Sequence, residues 1–594
     1  MNLQARIDEL ERQLSELPAG SVVQKKVHGS TYCYHRWSEG GKRRERYLKA
    51  GEAEPLREAV ARRKQLEGEL KELRRAEAGT GRAPIPAAAA PSASLQMNVL
   101  VGERLRAFGS GVEKYRRREL FGQLEAYLSD DDEKVLILFG LRRTGKTTMI
   151  RQAILRMGDA ELGRAAFIQA VPGNTLSQLN HDLRLLESRG VRFVFVDEVT
   201  ALDDFVGGAA LLSDIFVAGG MRVVLSGTDS LGFVFAQDDQ LYDRCRLLHT
   251  TYIPYREFSE VLGIHGIDEY IRFGGTMSLG GADYSASSPF STAPRAGEYV
   301  DAAVARNIQH SLACYDHGGH FRHLRDLYDA DELTSAVNRV VEYVNHRFAL
   351  EVLSRDFTSH DLGISAANLR RDRAAPTDIL DRVDVGEVTW RLRELLEIRN
   401  AGERSVELEP AHAVEIGEYL DLLDLTDRIE VRSLPDVSGV GARTVVCQPG
   451  LRYAQVEALI QSLMLDQTFS ELSLAERNVV EGRIRTEVMG RMLEDIVLLE
   501  TKRSRPGCEV FVLQFAVGEF DMVVFDPKAA SCEIYEVKHS DQVAAAQRRH
   551  LLDPQKRRMC EHRYGPITGS FVLYRGADDY IDGVQYVNVE EYLS

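Results

Sequence analysis

The segment at residues 140–148 constrains this chain more than any other feature of its sequence. It reads GLRRTGKTT, follows the apolar run VLILF at 135–139 and opens a helix-forming stretch. GxxxxGK[ST] between a strand and a helix is typical of a phosphate-binding loop: its glycines let backbone N–H groups turn toward phosphate oxygens, and the helix N-terminus adds its positive end. The sequence therefore predicts a P-loop nucleotide site in an α/β domain.

The side chains of this loop have separate expected roles. Lys146 is expected to reach the β- and γ-phosphates of ATP, and Thr147 to hold Mg²⁺ through its hydroxyl. The remaining expected contacts to the nucleotide are Gly140, Arg142, Arg143, Thr144, Gly145 and Thr148. A chance match on an ordinary strand–turn–helix is the alternative, and the correct flanking elements make it the weaker one.

An acidic strand supplies the second part of the predicted site. RFVFVDEV at 192–199 is an apolar strand that ends in Asp197 and Glu198, and carboxylates at the end of a buried strand are costly unless they act on a metal or a water. We expect Asp197 to serve the Mg²⁺ shell and Glu198 to polarise the attacking water. Ser226, at the end of the strand RVVLSG, is either a sensor of the γ-phosphate or part of a plain turn.

Two arginines follow in the segment LYDRCRLLHT. Arg244 and Arg246 are candidates for an arginine finger, supplied within the chain or by a neighbouring subunit. Surface arginines without a catalytic role are the favoured interpretation.

Composition limits the compartment and the kind of partner. The 594 residues carry a net charge of −16, which excludes a uniformly basic nucleic-acid protein but permits local basic patches. Seven scattered cysteines without CxxC argue against disulfides or a zinc ribbon and favour a reducing compartment. The charged N-terminus resembles no signal peptide, and no run of about eighteen apolar residues occurs. We therefore expect a cytoplasmic protein without a membrane partner.

The pattern along the chain predicts a multidomain α/β protein. Leu3, Ile7, Leu10, Leu14 and Leu17 predict a coiled-coil-like helix, followed by short strands and a second helix. The predicted divisions are an N-terminal helix–sheet–helix module at 1–75, an Ala/Pro linker at 76–96, a P-loop ATPase domain at 97–310, a helical or winged-helix region at 311–469 and a second α/β domain at 470–594.

The last domain contains a second group of candidate catalytic residues. GEFDMVVF at 518–525 and EIYEVK at 533–538 are two strands joined by a tight turn, which brings Asp521 near Glu536 and Lys538. This is the D…ExK arrangement of PD-(D/E)XK nucleases, in which Asp521 and Glu536 would hold Mg²⁺ and Lys538 would polarise water or stabilise the phosphorane. Glu494, on the preceding helix, is a further candidate metal ligand. The alternative is a solvated strand edge.

These motifs occur together in an order that resembles a known family. GLRRTGKTT, the strand end VDE, LSGTDS, PYREFSE (254–260) and YIRFGGTMSL (270–279) are similar to bacterial and archaeal AAA-type ATPases that carry a winged helix and a C-terminal restriction-nuclease-like domain. The resemblance covers about residues 112–594 and extends to GEFD, YEVKHS, Gln547, His550 and Leu551. It implies ATP and Mg²⁺ as cofactors, DNA as partner and a homo-oligomer. This chain has Thr200 where the family often has Gln.

Two further interpretations stay open at the level of sequence. The C-terminal domain either cuts DNA or serves an ATP-switched regulatory or scaffold protein that binds DNA or protein without cutting. The N-terminal segment resembles a small uncharacterised bacterial domain, and its basic residues with interleaved aromatics at 22–49 either bind nucleic acid or cover a minimal sheet.

Overall fold

The structure is a computed structural model, and it describes most of the chain in separate stretches. The described residues are 21–27, 30–39, 42–48, 94–130, 134–202, 219–228, 244–263, 265–276, 321–330, 332–341, 409–435, 441–464 and 474–594, with isolated positions between them. The chain divides into two compact units, Met1–Ser94 and Leu95–Ser594. Among the described residues, no helix has both the length and the apolar character needed to cross a membrane.

The first unit contains a three-stranded antiparallel sheet in the order β1-β2-β3. Its strands are β1 (Ser21–Val27), β2 (Ser30–Glu39) and β3 (Lys42–Leu48). Glu39 pairs with Lys42, and the short strands that the sequence predicts here are confirmed. The two predicted helices and most of the linker at 76–96 lie outside the described residues.

The second unit begins with a six-stranded sheet in the order β4-β6-β7-β8-β5-β9. All neighbours are parallel except the edge pair β4–β6. The strands are β4 (Asn98–Val101), β5 (Val135–Phe139), β6 (Ala165–Gln169), β7 (Phe193–Asp197), β8 (Arg222–Gly227) and β9 (Cys245–His249). Because parallel strands end at the same edge, the residues after β5, β7 and β8 meet there.

Apolar side chains cover both faces of this sheet. Val135, Ile137 and Phe139 of β5 pack into one buried cluster and Leu136 and Leu138 into the other, which explains why this strand is apolar throughout. The covering helices are α1 (Gly102–Ser110), α2 (Phe121–Ser129), α3 (Lys146–Arg156), α4 (Asp159–Leu162) and α5 (Leu176–Ser188).

The C-terminal part of the unit is built on an eight-stranded sheet in the order β11-β10-β12-β13-β14-β15-β17-β16. Strands β12, β13 and β14 form an antiparallel meander, and β15 continues parallel to β14. The strands are β10 (Thr426–Leu434), β11 (Gly441–Val446), β12 (Glu509–Phe515), β13 (Glu519–Asp526), β14 (Ser531–Val537), β15 (Ile567–Tyr574), β16 (Asp579–Ile581) and β17 (Val584–Asn588).

Helices from distant parts of the chain cover this second sheet. They are α6 (Tyr255–Leu262), α7 (Ile267–Phe273), α8 (Arg322–Asp329), α9 (Pro410–Leu422), α10 (Pro449–Met464), α11 (Leu474–Ser504), α12 (Pro554–Tyr564) and α13 (Val589–Leu593). Phe258 of α6 and Ile271 of α7 share one buried cluster with Leu498 of α11 and Val512 of β12. The PYREFSE and YIRFGG segments therefore help to form the core beside the C-terminal sheet.

Two outcomes concern the predicted boundaries. Strands β10 and β11 come from the region 311–469, and β10 pairs with β12, so the predicted boundary at 470 does not mark the edge of this sheet. The Leu/Val/Ile periodicity of residues 331–435 predicts helices, and the strand β10 corrects this prediction at the C-terminal end of the stretch. The segment SAANLRRD at 365–372, which belongs to the region that the sequence assigns to a winged helix or a helical bundle, lies outside the described residues. Pro554 is the first residue of α12, a position where its missing N–H costs no helical hydrogen bond.

Candidate active sites

The P-loop connects the carboxyl end of β5 to the first turn of α3. Gly140, Arg143 and Gly145 have φ values of 143°, 67° and 96°. Such positive values favour glycine, which occupies two of these three positions. Gly140 has no room for a side chain, because a Cβ atom there would lie 2.2 Å from the backbone oxygen of Thr250. Thr144 ties the loop down further, donating through Oγ1 to the Leu141 oxygen at 2.8 Å. The loop is thus held in a curved form that can surround a phosphate.

Lys146 lies inside this curve and is buried. Its Nζ atom donates to the carbonyl oxygens of Gly140 at 2.7 Å and Leu141 at 2.8 Å. Burial lowers the pKa of Lys146 to about 8, an effect that Glu198 and Asp197 oppose. Phosphate oxygens would raise this pKa again, since an anion favours the protonated amine. Arg142 is exposed at the rim of the loop, and Thr148 is half-buried in the first turn of α3.

Asp197 is the centre of a small polar group at the same sheet edge. Thr147 Oγ1 donates to Asp197 Oδ2 at 2.8 Å, and Ser226 Oγ donates to Asp197 Oδ1. Burial is the main cause that raises the pKa of Asp197, while the Ser226 and Thr147 hydroxyls partly offset it. A hydroxyl and a carboxylate oxygen side by side are the kind of oxygen ligands that Mg²⁺ takes in P-loop proteins.

Glu198 follows Asp197 in a left-handed conformation, with φ of 54°. A non-glycine residue seldom adopts this conformation, and such residues are common at functional sites. Thr228, just after β8, donates through Oγ1 to both carboxylate oxygens of Glu198, at 3.3 and 3.1 Å. The polar end of β8 therefore has two separate contacts, with Ser226 on Asp197 and Thr228 on Glu198.

Arg118 is a buried residue that the sequence motifs do not point to, and its side chain holds the backbone of the P-loop in place. Arg118 Nη1 donates to the Thr144 oxygen at 2.9 Å and the Thr251 oxygen at 3.0 Å. Its Nε atom is paired with Glu257 of α6, which is also buried. Arg118 closes a run of three arginines that reads as a surface patch, and only the fold brings it to Glu257. The pair fixes the loop backbone to the segment PYREFSE.

The candidate arginine fingers lie away from the P-loop of their own chain. Arg246 of β9 pairs in register with Leu136, at the opposite end of β5 from Gly140, and Arg244 precedes it. Arg246 makes a long ion pair of 3.5 Å with Asp130, and both side chains are about half exposed. The parallel register therefore excludes a catalytic role for these arginines within their own chain.

The second candidate site lies where β13 and β14 run side by side. Lys538 Nζ lies 2.9 Å from Asp521 Oδ2 and 2.8 Å from Glu536 Oε2. Asp521 Oδ2 also accepts from the Val537 N–H at 2.8 Å. The three side chains that the sequence predicted to converge are brought together, with both carboxylates buried.

The charges in this group shift one another strongly. Burial and the neighbouring Asp521 raise the pKa of Glu536 well above its usual value. Burial also opposes ionisation of Asp521, but Lys538 and the Val537 N–H outweigh it and lower its pKa. Burial would lower the pKa of Lys538, yet the two carboxylates outweigh it and raise that pKa well above its usual value. Two buried carboxylates with one ammonium leave an excess of negative charge when both are ionised.

One oxygen of this site fits a cation. Glu536 Oε1 is buried, and within the described part of the chain it has no hydrogen-bond partner. Asp521 and Glu536 together therefore fit two of the oxygen ligands of a divalent ion. Glu494 is engaged elsewhere: it accepts from Arg491 at 2.5 Å and Arg443 at 3.4 Å. Among the described residues, no group of three or more His, Cys, Asp or Glu is arranged to hold a metal.

Neighbouring residues brace the end of β14. His539 Nε2 lies 2.7 Å from Asp268 Oδ1 of α7, and Arg575 lies 3.1 Å from the other oxygen of Asp268. The amide of Gln547 is used within its own loop, accepting from the Ala544 N–H and donating to the Gln542 oxygen, both at 2.9 Å. Gln547 thus positions the loop at the start of the basic segment QRRHLLDPQKRRMCEHR, residues 547–563.

The first of the two sites defines a class of protein: a P-loop between a buried strand and a helix, with an acidic strand end beside it, belongs to a nucleoside triphosphatase. Residues 132–259 match the family described as AAA domain. The second unit therefore contains an AAA-type P-loop ATPase domain. Residues 1–58 match a domain of unknown function, DUF6788. No curated protein matches the chain.

Comparison with solved structures returns distant similarities. One is the Orc1 protein of Aeropyrum pernix in complex with DNA, at 16% identity and a TM-score of 0.22, covering 62% of this chain and 98% of that one. Another is the Hsp104:casein complex of S. cerevisiae, at 12% identity and a TM-score of 0.25, covering 68% of this chain and 86% of that one.

Proposed function

We propose that this protein hydrolyses ATP in its AAA-type domain and uses the nucleotide state to control a DNA-binding, Mg²⁺-dependent nuclease domain. The observation that carries the nuclease part is the convergence of Asp521, Glu536 and Lys538 with a buried, unsatisfied oxygen on Glu536. DNA processing and defence against foreign DNA both suit such an activity. The proposal includes a winged helix within 311–469 and assembly of several copies, as the resemblance implies.

The ATPase residues divide the reaction among themselves. Lys146 would bind the phosphate oxygens, and Thr147 and Asp197 would hold Mg²⁺, which neutralises phosphate charge when bound. Glu198 would accept the proton of the attacking water, with Thr228 fixing its carboxylate. Arg118 acts through the loop backbone and is a positioning residue.

The nuclease residues would divide the work of phosphodiester hydrolysis in a similar way. Asp521 and Glu536 would hold Mg²⁺, which supplies Lewis-acid activation of water when bound. The Lys538 ammonium would stabilise the charge that develops on the phosphate oxygens. Arg549 and Arg563 are exposed before and at the end of α12, which supports binding of a phosphate backbone.

A chain of contacts supports coupling between the two sites. Arg118 joins the Thr144 oxygen to Glu257 of α6. The first residue of α6, Tyr255, donates its N–H to Glu500 of α11 at 2.8 Å, and Tyr270 of α7 donates its hydroxyl to the same oxygen at 3.0 Å. Helix α11 also carries Glu494, whose pKa is raised by burial and by Asp521. A shift of the P-loop would thus reach the helix beside the nuclease site.

One observation favours a second candidate function. The Lys538 ammonium lies between both carboxylates, which is where a cation would also sit, and Glu494 is paired with arginines. This arrangement, without a metal ion, would be sufficient for an ATP-switched protein whose C-terminal domain binds DNA without cutting.

A nuclease assay on the full chain separates the two functions. We expect wild type to cut plasmid DNA in Mg²⁺ or Mn²⁺, with a rate that changes on addition of ATP. Asp521→Asn should abolish cleavage and leave ATP hydrolysis within about twofold, because it removes one anionic ligand from the second site only. Lys528→Ala, an exposed change beyond the far end of β13, is the matched control and should cut normally.

Absence of cleavage under all these conditions, with DNA binding retained, would replace the nuclease by the non-cutting switch. Cleavage that survives Asp521→Asn would show that these residues are not the catalytic group.

A further inference from the structure

A cavity of about 390 Å³ opens beside the second site, between the end of β10, the β12–β13 turn and the start of α12. One wall is apolar, formed by Pro435, Phe515, Val517 and Met559. The rest of the lining includes a cationic wall of Arg549, His550 and Lys556, and Lys556 Nζ lies 5.4 Å from the centre of the Phe515 ring. A volume in this range suits a small organic ligand better than a bare ion.

The cationic wall is built with close contacts. Lys556 is buried, and its Nζ atom donates to His550 Nδ1. With Nδ1 as acceptor, the neutral ring carries its proton on Nε2, which lies 3.4 Å from Arg549 Nη2. Arg549, His550 and Lys556 therefore offer N–H donors, while Asp553 and Gln555 bring acceptors to the same lining. Such a cluster suits a ligand that is rich in acceptors, as a phosphate group is.

The nearby carboxylate of Asp553 offsets part of this charge, because it favours the protonated form of Lys556, but Arg549 leaves the wall with a net positive charge. Asp553 Oδ1 accepts from the backbone N–H groups of Gln555 at 2.8 Å and Lys556 at 3.2 Å, which caps α12. Burial lowers the pKa of His550, and Lys556 and Arg549 lower it further. Burial also lowers the pKa of Lys556. The crowded cations would each be relieved by a bound anion.

The cavity adjoins the candidate nuclease site. Gly518, with φ of 78°, lies against the cationic wall: a Cβ atom there would be 2.5 Å from His550 Cε1 and 2.8 Å from Lys556 Nζ. Gly518 directly precedes β13, which carries Asp521. The charges of Lys538 and Asp521 act on His550, and that of Glu536 on Lys556. Gly518 and Asp521 are three residues apart, which is a span of about 10 Å in an extended strand.

We propose that this cavity is a nucleotide subsite, in which Lys556, His550 and Arg549 hold a backbone phosphate and Phe515 with its apolar neighbours receives the sugar and base. This inference rests on the proposed nuclease function and names the part of the DNA strand that the site grips beside the cleaved bond. Aromatic and aliphatic walls tolerate any base, so the subsite reads no sequence.

Binding of a fluorescein-labelled dodecamer of thymidylate to the full chain tests the subsite. The measurement is made by anisotropy in EDTA, so that no cleavage occurs. Lys556→Met keeps the side-chain length and removes the charge, and we expect it to weaken binding about tenfold and to reduce the salt dependence by about one ion. Lys556→Arg should restore most of the affinity. Arg558→Met, on the exposed face of the same helix, should change the affinity less than about twofold.

Arg549→Met supplies a second variant, because this exposed side chain can be replaced without disturbing the core; it should weaken binding severalfold. Unchanged ATP hydrolysis confirms that each variant is folded. Competition with thymidine monophosphate and with inorganic phosphate separates the two sources of phosphate. We expect the nucleotide to compete at a lower concentration, and equal competition would overturn the nucleotide assignment in favour of a simple anion site.

The outcomes distinguish this subsite from the nuclease proposal. If wild type cleaves DNA but Lys556→Met and Arg549→Met bind like Arg558→Met, the subsite is wrong and the nuclease stands. If wild type does not cleave but both variants lose binding, the subsite stands and the nuclease is wrong.

Discussion

The Lys146 ammonium donates to two backbone oxygens of its own loop, and burial lowers its pKa to about 8. Because phosphates bind the protonated amine, the affinity for ATP should fall as the pH rises through this value. The protonated fraction falls about tenfold between pH 7 and pH 9 for a pKa of 8, so the Kd for a non-hydrolysable ATP analogue with Mg²⁺ should rise about tenfold. Calorimetric titration of the ATP analogue at several pH values measures this change in Kd.

Lys146→Arg is the matched control for this pH effect. The guanidinium stays charged across the whole range, so its Kd should change less than about twofold between pH 7 and pH 9. A wild-type Kd that does not vary with pH, or an equal change in both proteins, would assign the phosphate contact to another group.

The residues of the P-loop were predictable from the chain, because the motif is local and its neighbours follow within a few positions. Asp197 and Ser226 were predictable because each lies at the end of an apolar strand, and the carboxyl ends of parallel strands meet at one edge of the sheet. Arg118 was not, because its partner Glu257 is 139 residues away. A buried pair of this kind has no local pattern, and only the packing of α6 against the loop creates it.

Among the elements, α11 connects the two halves of the second unit. Its Glu500 is buried and accepts from Tyr255 and Tyr270, and burial raises its pKa to about 7 from 4.5. A raised folded-state pKa means that the proton stabilises the fold, and this stabilisation is lost as the pH rises through 7. Glu500→Gln mimics the protonated form. At pH 8 it should be more stable than wild type, by on the order of 3 kcal/mol.

Thermal unfolding by calorimetry checks this prediction at two pH values. Glu500→Gln should have a higher Tm than wild type at pH 8 and nearly the same Tm at pH 5. Glu487→Gln, at an exposed position of the same helix, should match wild type at both. A lower Tm for Glu500→Gln at pH 8 would mean that the ionised carboxylate is the stabilising form.

Predictability also varied among the elements. The strands β5, β7 and β8 were predictable from the sequence to within two residues, because each is a short apolar run beside a turn, whereas β4 and β9 were not predicted. The sequence pattern places β10 at the end of a helical region, since the leucines of α9 run directly into it. Its residues Ile429 and Val431 alternate with charged ones, and its pairing with β12, some 80 positions later, decides its structure.

At the scale of the whole molecule, the boundary at residue 470 that the sequence pattern predicts does not separate two independent cores. Phe258 and Tyr270, from the segments after β9, lie in the same core as Ile429 of β10 and Leu498 of α11. A fragment of residues 470–594 would lose these side chains and the strand that pairs with β12. Its apolar face and the edge of β12 would then be exposed to water.

We therefore expect residues 470–594 alone to aggregate or to lack a cooperative thermal transition, whereas residues 95–594 should fold and keep ATP hydrolysis. The second fragment begins where the two compact units divide, and it retains both sheets with the helices that cover them. Size-exclusion chromatography with circular dichroism compares the two fragments directly. A monodisperse, cooperatively unfolding 470–594 fragment would contradict the shared core, because it would show that β12 to β15 and their own helices bury enough apolar surface without α6, α7 and β10.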